Sequence, residues 1–327
     1  MVNRNCYKYG KMYVPVRRHG VVYLISFNIM REVKQVRRNE YNRLPEWFKV
    51  PMSGGPNFVE LKNLLKSGGL NTVCIEAKCP NIGECWEDRS ATFMILGEIC
   101  TRACRYCAVS TGRPGIIDLD EPRRLAESVE KLNLEYCVIT SVDRDDLLDG
   151  GAGVFAESIK RIRSKLPFCG IEVLIPDFQG SEISLLTVLG AMPNVLNHNI
   201  ETVERIFPMV RPRGNYSQSL SLLKKVKEQA PHIVTKSGMM VGLGEELDEI
   251  LETIYNLRSV GCDLLTIGQY LQPSQKHFPV SRFYTPGEFN YIKVEAEKLG
   301  FTNVASGPLV RSSYRAGKQL HSLLSNG

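Results

Sequence analysis

No segment of this 327-residue chain is long enough and apolar enough to span a bilayer as a helix, so a soluble protein with no membrane partner is expected. The run Val21-Val22-Tyr23-Leu24-Ile25-Ser26-Phe27 is too short for a span, and no small-residue cleavage site accompanies it. Repeats of solenoid length are also missing. Acids are absent from the first 31 residues, which carry Arg4, Lys8, Lys11, Arg17, Arg18 and Arg31; beyond them Lys/Arg and Asp/Glu number 35 each and cancel. A neutral body argues against nucleic-acid binding, which calls for a concentrated basic face. For residues 1–38 the expectation is a basic arm, disordered or preceding a true start at Met30, in a cytoplasmic protein. The alternative is a transit peptide to a mitochondrion or plastid.

Cysteine is plentiful by contrast, and six of the ten cysteines fall between residues 74 and 107. Uneven close spacing in a large chain without a secretory signal points to metal ligation in a reducing compartment rather than to disulfides. Cys100-Thr101-Arg102-Ala103-Cys104-Arg105-Tyr106-Cys107 brings together three thiols after an apolar run. Three thiolates can hold three irons of a [4Fe–4S] cluster and leave the fourth open to a small molecule. A structural zinc site asks for four ligands, and no Cys or His follows Cys107 closely. Cys74, Cys79 and Cys85 make a second triplet, with Pro80 and Gly83 interrupting helix so that the chain can wrap a cluster. Cys137, Cys169 and Cys262 sit in or beside apolar runs and read as buried small hydrophobes.

Apolar periodicity supplies the frame. Phe58, Leu61, Leu64 and Leu65 predict a short packed helix within a 39–90 extension. From residue 91 strand patterns at 92–99, 136–141, 171–175, 195–200, 237–242 and 263–271 alternate with helical stripes. The stripes include Leu125, Val129 and Leu132; Phe155, Ile159 and Ile162; and Ile250, Ile254 and Leu257. Six right-handed β-α units predict an α/β fold, a partial (β/α)6 TIM-like barrel over 91–285 with an extension at 286–327. Reactive groups in such folds gather where strands end, which draws attention to Asp143-Arg144-Asp145-Asp146, Asn199 and Glu201, and Gly238 to Glu245.

The CxxxCxxC spacing, with Tyr106 before its last cysteine, resembles the signature of the radical S-adenosylmethionine (SAM) enzymes. The second triplet, 15 residues upstream, and Arg311-Ser312-Ser313-Tyr314 narrow the resemblance to the lipoyl synthase family. The resemblance implies a sulfurtransferase that inserts two sulfur atoms at C6 and C8 of a protein-bound octanoyl-lysine. It implies two [4Fe–4S] clusters, one on Cys100, Cys104 and Cys107 and an auxiliary one on Cys74, Cys79, Cys85 and Ser313, and two SAM molecules per product. Asp143, Asn199, Glu201 and Gly242 are expected on the SAM side. Expected partners are octanoylated lipoyl carrier domains (2-oxoacid dehydrogenase E2 subunits and the glycine cleavage H protein), an electron donor and an iron–sulfur cluster donor. Rival readings are another sulfur-inserting radical SAM family, which would lack the upstream triplet, and a non-catalytic iron–sulfur sensor.

Overall fold

The computed structural model describes residues 7–8, 11–18, 21–28, 44–50, 54–76 and 79–319. The chain divides into two compact units, 1–43 and 44–327. In the first, strands β1 (Tyr7–Lys8), β2 (Lys11–Arg18) and β3 (Val21–Asn28) pair antiparallel, with β2 and β3 in register from Lys11↔Asn28 to Arg18↔Val21. The segment expected as an arm thus contains strand pairing, in keeping with its valines and aromatic residues.

The second unit opens with α1 (Pro56–Ser67), β4 (Asn71–Thr72), α2 (Val73–Glu76) and α3 (Ile82–Glu87). Next come β5 (Thr92–Ile95), the short β6 (Ile99–Cys100) and β7 (Ser110–Thr111), α4 (Glu121–Lys131), β8 (Tyr136–Ser141), α5 (Ala152–Lys165) and β9 (Gly170–Leu174). After them follow α6 (Glu182–Gly190), β10 (Val195–Asn197), α7 (Phe207–Val210), α8 (Tyr216–Gln229) and β11 (Val234–Val241). The described part closes with α9 (Leu247–Ser259), β12 (Leu264–Gln269), α10 (Pro286–Lys298) and β13 (Asn303–Gly307).

The main sheet runs β13-β12-β11-β10-β9-β8-β5-β4, parallel throughout except for β4 at one edge. Neighbours in sequence are neighbours in space, the order of an open barrel. All six predicted repeats are present, and β13 from the C-terminal extension adds a seventh parallel strand. The first strand stops at Ile95 rather than running to residue 99, because Leu96 (φ 70°) and Gly97 (φ 88°) turn the chain in the left-handed region. That turn sends residues 98–107 across the strand ends.

Two large apolar clusters lie between sheet and helices, one around Leu125, Ile139, Phe155 and Val173, the other around Val241, Ile254, Leu257 and Ile267. The strand starts are closed by Tyr136, Val138, Val195, Leu264 and Ala316. Above them Lys236 and Glu172, both fully buried, form an ion pair at 3.1 Å, and the Tyr136 hydroxyl and Asn197 amide also donate to Glu172. Extra hydrogen bonds of this kind are what a buried ion pair needs to offset its desolvation. Among the described residues no helix is long and apolar enough to cross a membrane.

Candidate active site

A cavity of about 380 Å³ lies at the strand ends, and Cys74, Cys79, Cys85, Cys100, Cys104, Cys107 and Ser313 all line it. Segments as distant in sequence as 74–85 and 309–315 are tied together around it. Asn81 Nδ2 donates to the Leu309 carbonyl at 2.6 Å, the Tyr314 hydroxyl donates to Glu84 at 3.2 Å, and Arg315 pairs with the same carboxylate. The carbonyl of Val310 approaches β12 so closely that a Cβ at Gly268 would lie 2.0 Å from it, so only glycine permits this docking.

The thiols are poorly suited to ionise alone. Burial pushes Cys85 and Cys104 up to about 12 and Cys107 up to about 11, and raises Cys79 and Cys100 as well. Thiolate ligation therefore needs a cationic partner, which an iron–sulfur cluster provides. Among the described residues no three His, Cys, Asp or Glu converge closely enough to hold one metal ion. One thiolate per iron asks for wider spacing than four ligands on a single zinc. Three thiols in each triplet are the donor type that an iron–sulfur cluster takes.

Beside the Cys100 loop the cavity wall is polar and incompletely satisfied. Asn199 Oδ1, Ser141 Oγ and Arg211 Nε are buried without a hydrogen-bond partner, Asp143 Oδ1 has only a long ion pair to Arg102 Nε at 3.5 Å, and all four residues line the cavity. Unpaired buried polar atoms are costly, so such a set marks a ligand site. Burial raises the Asp143 carboxyl against the opposing pull of Arg102 and then Arg211, and the Glu201 carboxyl against that of Arg211. Acceptors for an ammonium beside a guanidinium for a carboxylate suit an amino-acid zwitterion. Gly238 leaves room beside Asn199 Oδ1, where a Cβ would come within 2.7 Å. Gly242 does not join this group: at φ 102° it packs under Gln269 and Arg282 while its N–H bonds Glu245, and it lies outside the cavity lining. The buried His198 ring spends both nitrogens on Ile175 O and Ser219 Oγ.

Residues 143–146, just beyond β8, divide their work. Asp143 faces the cavity, and its N–H donates to Cys100 Sγ at 3.3 Å. Arg144 binds Asp146 and the carbonyls of Leu96 and Gly115, fixing the turn after β5. Asp145 accepts two bonds from Arg102, which also makes two to Asp177. Arg102 and Asp177 escaped the sequence reading; a lone Asp177 beyond β9 gives no local signal of its distant partner.

A parallel, open α/β barrel with a three-thiol loop at its strand ends defines a radical SAM enzyme, and the Radical SAM superfamily model matches residues 94–255. SuiB of Streptococcus suis has a TM-score of 0.52 at 7% identity, covering 79% of this chain and 56% of that one. The [FeFe]-hydrogenase maturase HydG has a TM-score of 0.51 at 14% identity, covering 71% and 62%. Both show the fold alone. The model for the N-terminal domain of lipoyl synthase matches residues 26–79. A lipoyl synthase of Symbiobacterium thermophilum is 54% identical over 86% of this chain and 88% of its own, and one of Halalkalibacterium halodurans 53% over 87% and 94%. The chain belongs to the lipoyl synthase family. With membership of the radical SAM class go a [4Fe–4S] cluster and SAM.

Proposed function

We propose that this enzyme inserts two sulfur atoms, at C6 and C8, into an octanoyl chain held in amide linkage on a lysine of a carrier protein. The observation that carries the reading is one cavity lined by both cysteine triplets and Ser313. When bound, a cluster with SAM supplies a radical able to take hydrogen from an unactivated carbon, and a second cluster supplies sulfide.

The chain's own residues supply position and dryness. Cys100, Cys104 and Cys107 hold the SAM-side cluster, while Asp143, Asn199, Glu201 and Arg211 orient the SAM amino and carboxylate groups. Cys74, Cys79 and Cys85 from the 39–90 extension and Ser313 from the 286–327 extension hold the auxiliary cluster. Oxygen is a poorer partner than thiolate for soft iron–sulfur chemistry, so Ser313 is the ligand that releases most readily when sulfide is given up. Buried walls such as Met94, Val142 and Ile175 keep water from the reacting carbon. Because its sulfide is consumed, the auxiliary site needs a cluster donor for each further turnover. The carriers are lipoyl domains of 2-oxoacid dehydrogenases or the glycine cleavage H protein, and the setting is the cytoplasm.

The test is a single turnover of anaerobically reconstituted enzyme with reductant, SAM and an octanoyl-lysine carrier peptide, followed by mass spectrometry. The expected product gains two sulfurs, about 32 mass units each once cofactor chemistry has replaced two C–H bonds by thiols. SAM cleavage with both sites filled and no sulfur in the peptide would refute the proposal.

A further inference from the structure

The charged side chains lining the cavity are Arg102, Asp143, Glu201, Arg211 and Arg311. All but the last meet an opposite charge. Arg102 is bound by Asp145 and Asp177 and lies 3.5 Å from Asp143, while Arg211 lies 3.8 Å from Asp177 and acts on Glu201. Arg311, half-buried in the wall, has no carboxylate within ion-pair distance among the described residues. Its position is nonetheless fixed. Nη1 donates to the Val310 carbonyl at 2.7 Å, the same carbonyl that packs on Gly268, and a Cβ at Gly268 would lie 3.4 Å from Nη1. A guanidinium carries five N–H donors, and the others on Arg311 find no acceptor among the described residues. A confined cation with donors to spare is costly unless an anion meets it.

The anionic site it adjoins is the auxiliary triplet. Burial pushes the Cys79 thiol up and Arg311 pulls it down, with no carboxylate set against that pull. Cys104, in the other triplet, feels Arg211 with Asp143 and Glu201 opposing it. The acids beside Cys85 are already matched, Glu84 by Arg315 and Asp88 by Lys318. Among the described residues Arg311 is thus the unpaired cation of the auxiliary half.

We propose that Arg311 is the counter-charge of the auxiliary cluster, raising the reduction potential of the group held by Cys74, Cys79, Cys85 and Ser313. The proposal rests on the reading of those four residues as ligands. Net charge and hydrogen bonds to sulfur are among the influences that set such a potential, and a cation favours the more negative, reduced state. The sulfur chemistry asks for that direction. A carbon radical brings one electron to a new C–S bond and sulfide brings one; sulfide, becoming a thiolate, gives one more to iron, which passes from ferric to ferrous. By holding positive charge beside the thiolates, Arg311 favours that last transfer.

The test is a redox titration of the full chain carrying Cys100→Ala, Cys104→Ala and Cys107→Ala, in which electron paramagnetic resonance follows the auxiliary cluster alone. Adding Arg311→Gln should shift the one-electron equilibrium toward the oxidised form by roughly tenfold or more, each tenfold being about 59 mV. Arg311→Lys, which keeps the charge, should stay close to the parent. Equal potentials with Arg and Gln overturn the proposal, and a raised KM for the octanoyl-lysine peptide in otherwise native enzyme would then assign Arg311 to the acyl amide. A Lys variant that falls as far as the Gln variant also overturns it, because charge would not be the cause. Should Arg311→Gln hold too little iron to titrate, iron content decides: retention by Arg311→Lys supports the charge role, and loss in both overturns it. A parent chain that takes up no iron would remove the auxiliary-cluster reading and the proposal with it, whereas about four irons per chain with equal potentials would remove the role of Arg311 alone.

Discussion

The Arg102 guanidinium meets Asp177 in a two-pronged ion pair, Nη1–Oδ2 and Nη2–Oδ1 both 2.7 Å, across 75 residues of sequence. Both side chains are only 2% exposed. The same guanidinium spans Asp145 at 2.7 and 2.8 Å. The cysteine loop is thereby pinned, between its first and second thiols, to the segments following β8 and β9. Arg is required for such planar, forked bonding, and Lys would not replace it.

Removing Asp177 should therefore loosen the loop and destabilise the protein together. Asp177→Ala leaves a buried guanidinium short of a partner, a change expected to cost about 3–5 kcal/mol in urea unfolding. Burial pushes the Asp177 carboxyl upward, but Arg102 holds it down at about 2, below the ordinary 3.8. A carboxyl depressed on folding stabilises above its unfolded pKa and loses that contribution as pH falls through its folded one. The difference between parent and Asp177→Asn should thus shrink from pH 4 to pH 2, by roughly 2 kcal/mol. Unfolding curves that keep a constant separation over this window would remove Asp177 from the account.

Iron content separates the two halves of the cavity. Cys79→Ala should reduce reconstituted iron from roughly eight to roughly four per chain, at four per cluster, while reductive SAM cleavage continues. Ser313→Ala keeps three thiolates and should yield a cluster lost faster to a chelator than in the parent. Eight irons retained by Cys79→Ala after gel filtration would place the second cluster elsewhere.

The sequence announced the thiols and the strand-end polar groups because each is chemically distinctive over a few residues. Period-2 and period-3.6 patterns likewise exposed the six repeats. Helix α6 was harder to read, since Leu185, Leu186, Val188 and Leu189 form no clean stripe, and β13 is short and largely half-buried. Arg102–Asp177 and Asn81–Leu309 are non-local partnerships, for which single residues carry no signature. Gly242 shows the same limit: its place in the Gly238 to Glu245 stretch is visible in the sequence, but its packing under Gln269 and Arg282 arises only from the folded turn.

Glu201 faces Tyr106, Asn199 and Arg211 in the cavity wall, and burial lifts its carboxyl. If it accepts from the SAM ammonium, Glu201→Gln should weaken SAM binding by about 10- to 100-fold, as expected for a charge-assisted hydrogen bond of roughly 1.5–3 kcal/mol. Equilibrium dialysis with labelled SAM on cluster-loaded protein measures this independently of turnover. Unchanged affinity would exclude Glu201 as a direct contact.

Gly268 offers the sharpest test of how the auxiliary site is assembled. Its missing Cβ leaves space for the Val310 carbonyl, whose oxygen and carbon would lie 2.0 and 3.0 Å from an added methyl. Those atoms are backbone, so Gly268→Ala must push the 309–313 strap off β12 and carry Ser313 away from Cys74, Cys79 and Cys85. The overpacking should cost about 1–3 kcal/mol. The larger effect should be selective loss of auxiliary iron, with the Cys100 site still loaded. Gly307→Ala serves as the control, since its Cβ would meet only Val310 Cγ2 at 3.4 Å, an ordinary contact. Equal iron loss in both variants would mean that the strap responds to any bulk in this region, and that the close approach at Gly268 does not set the position of Ser313.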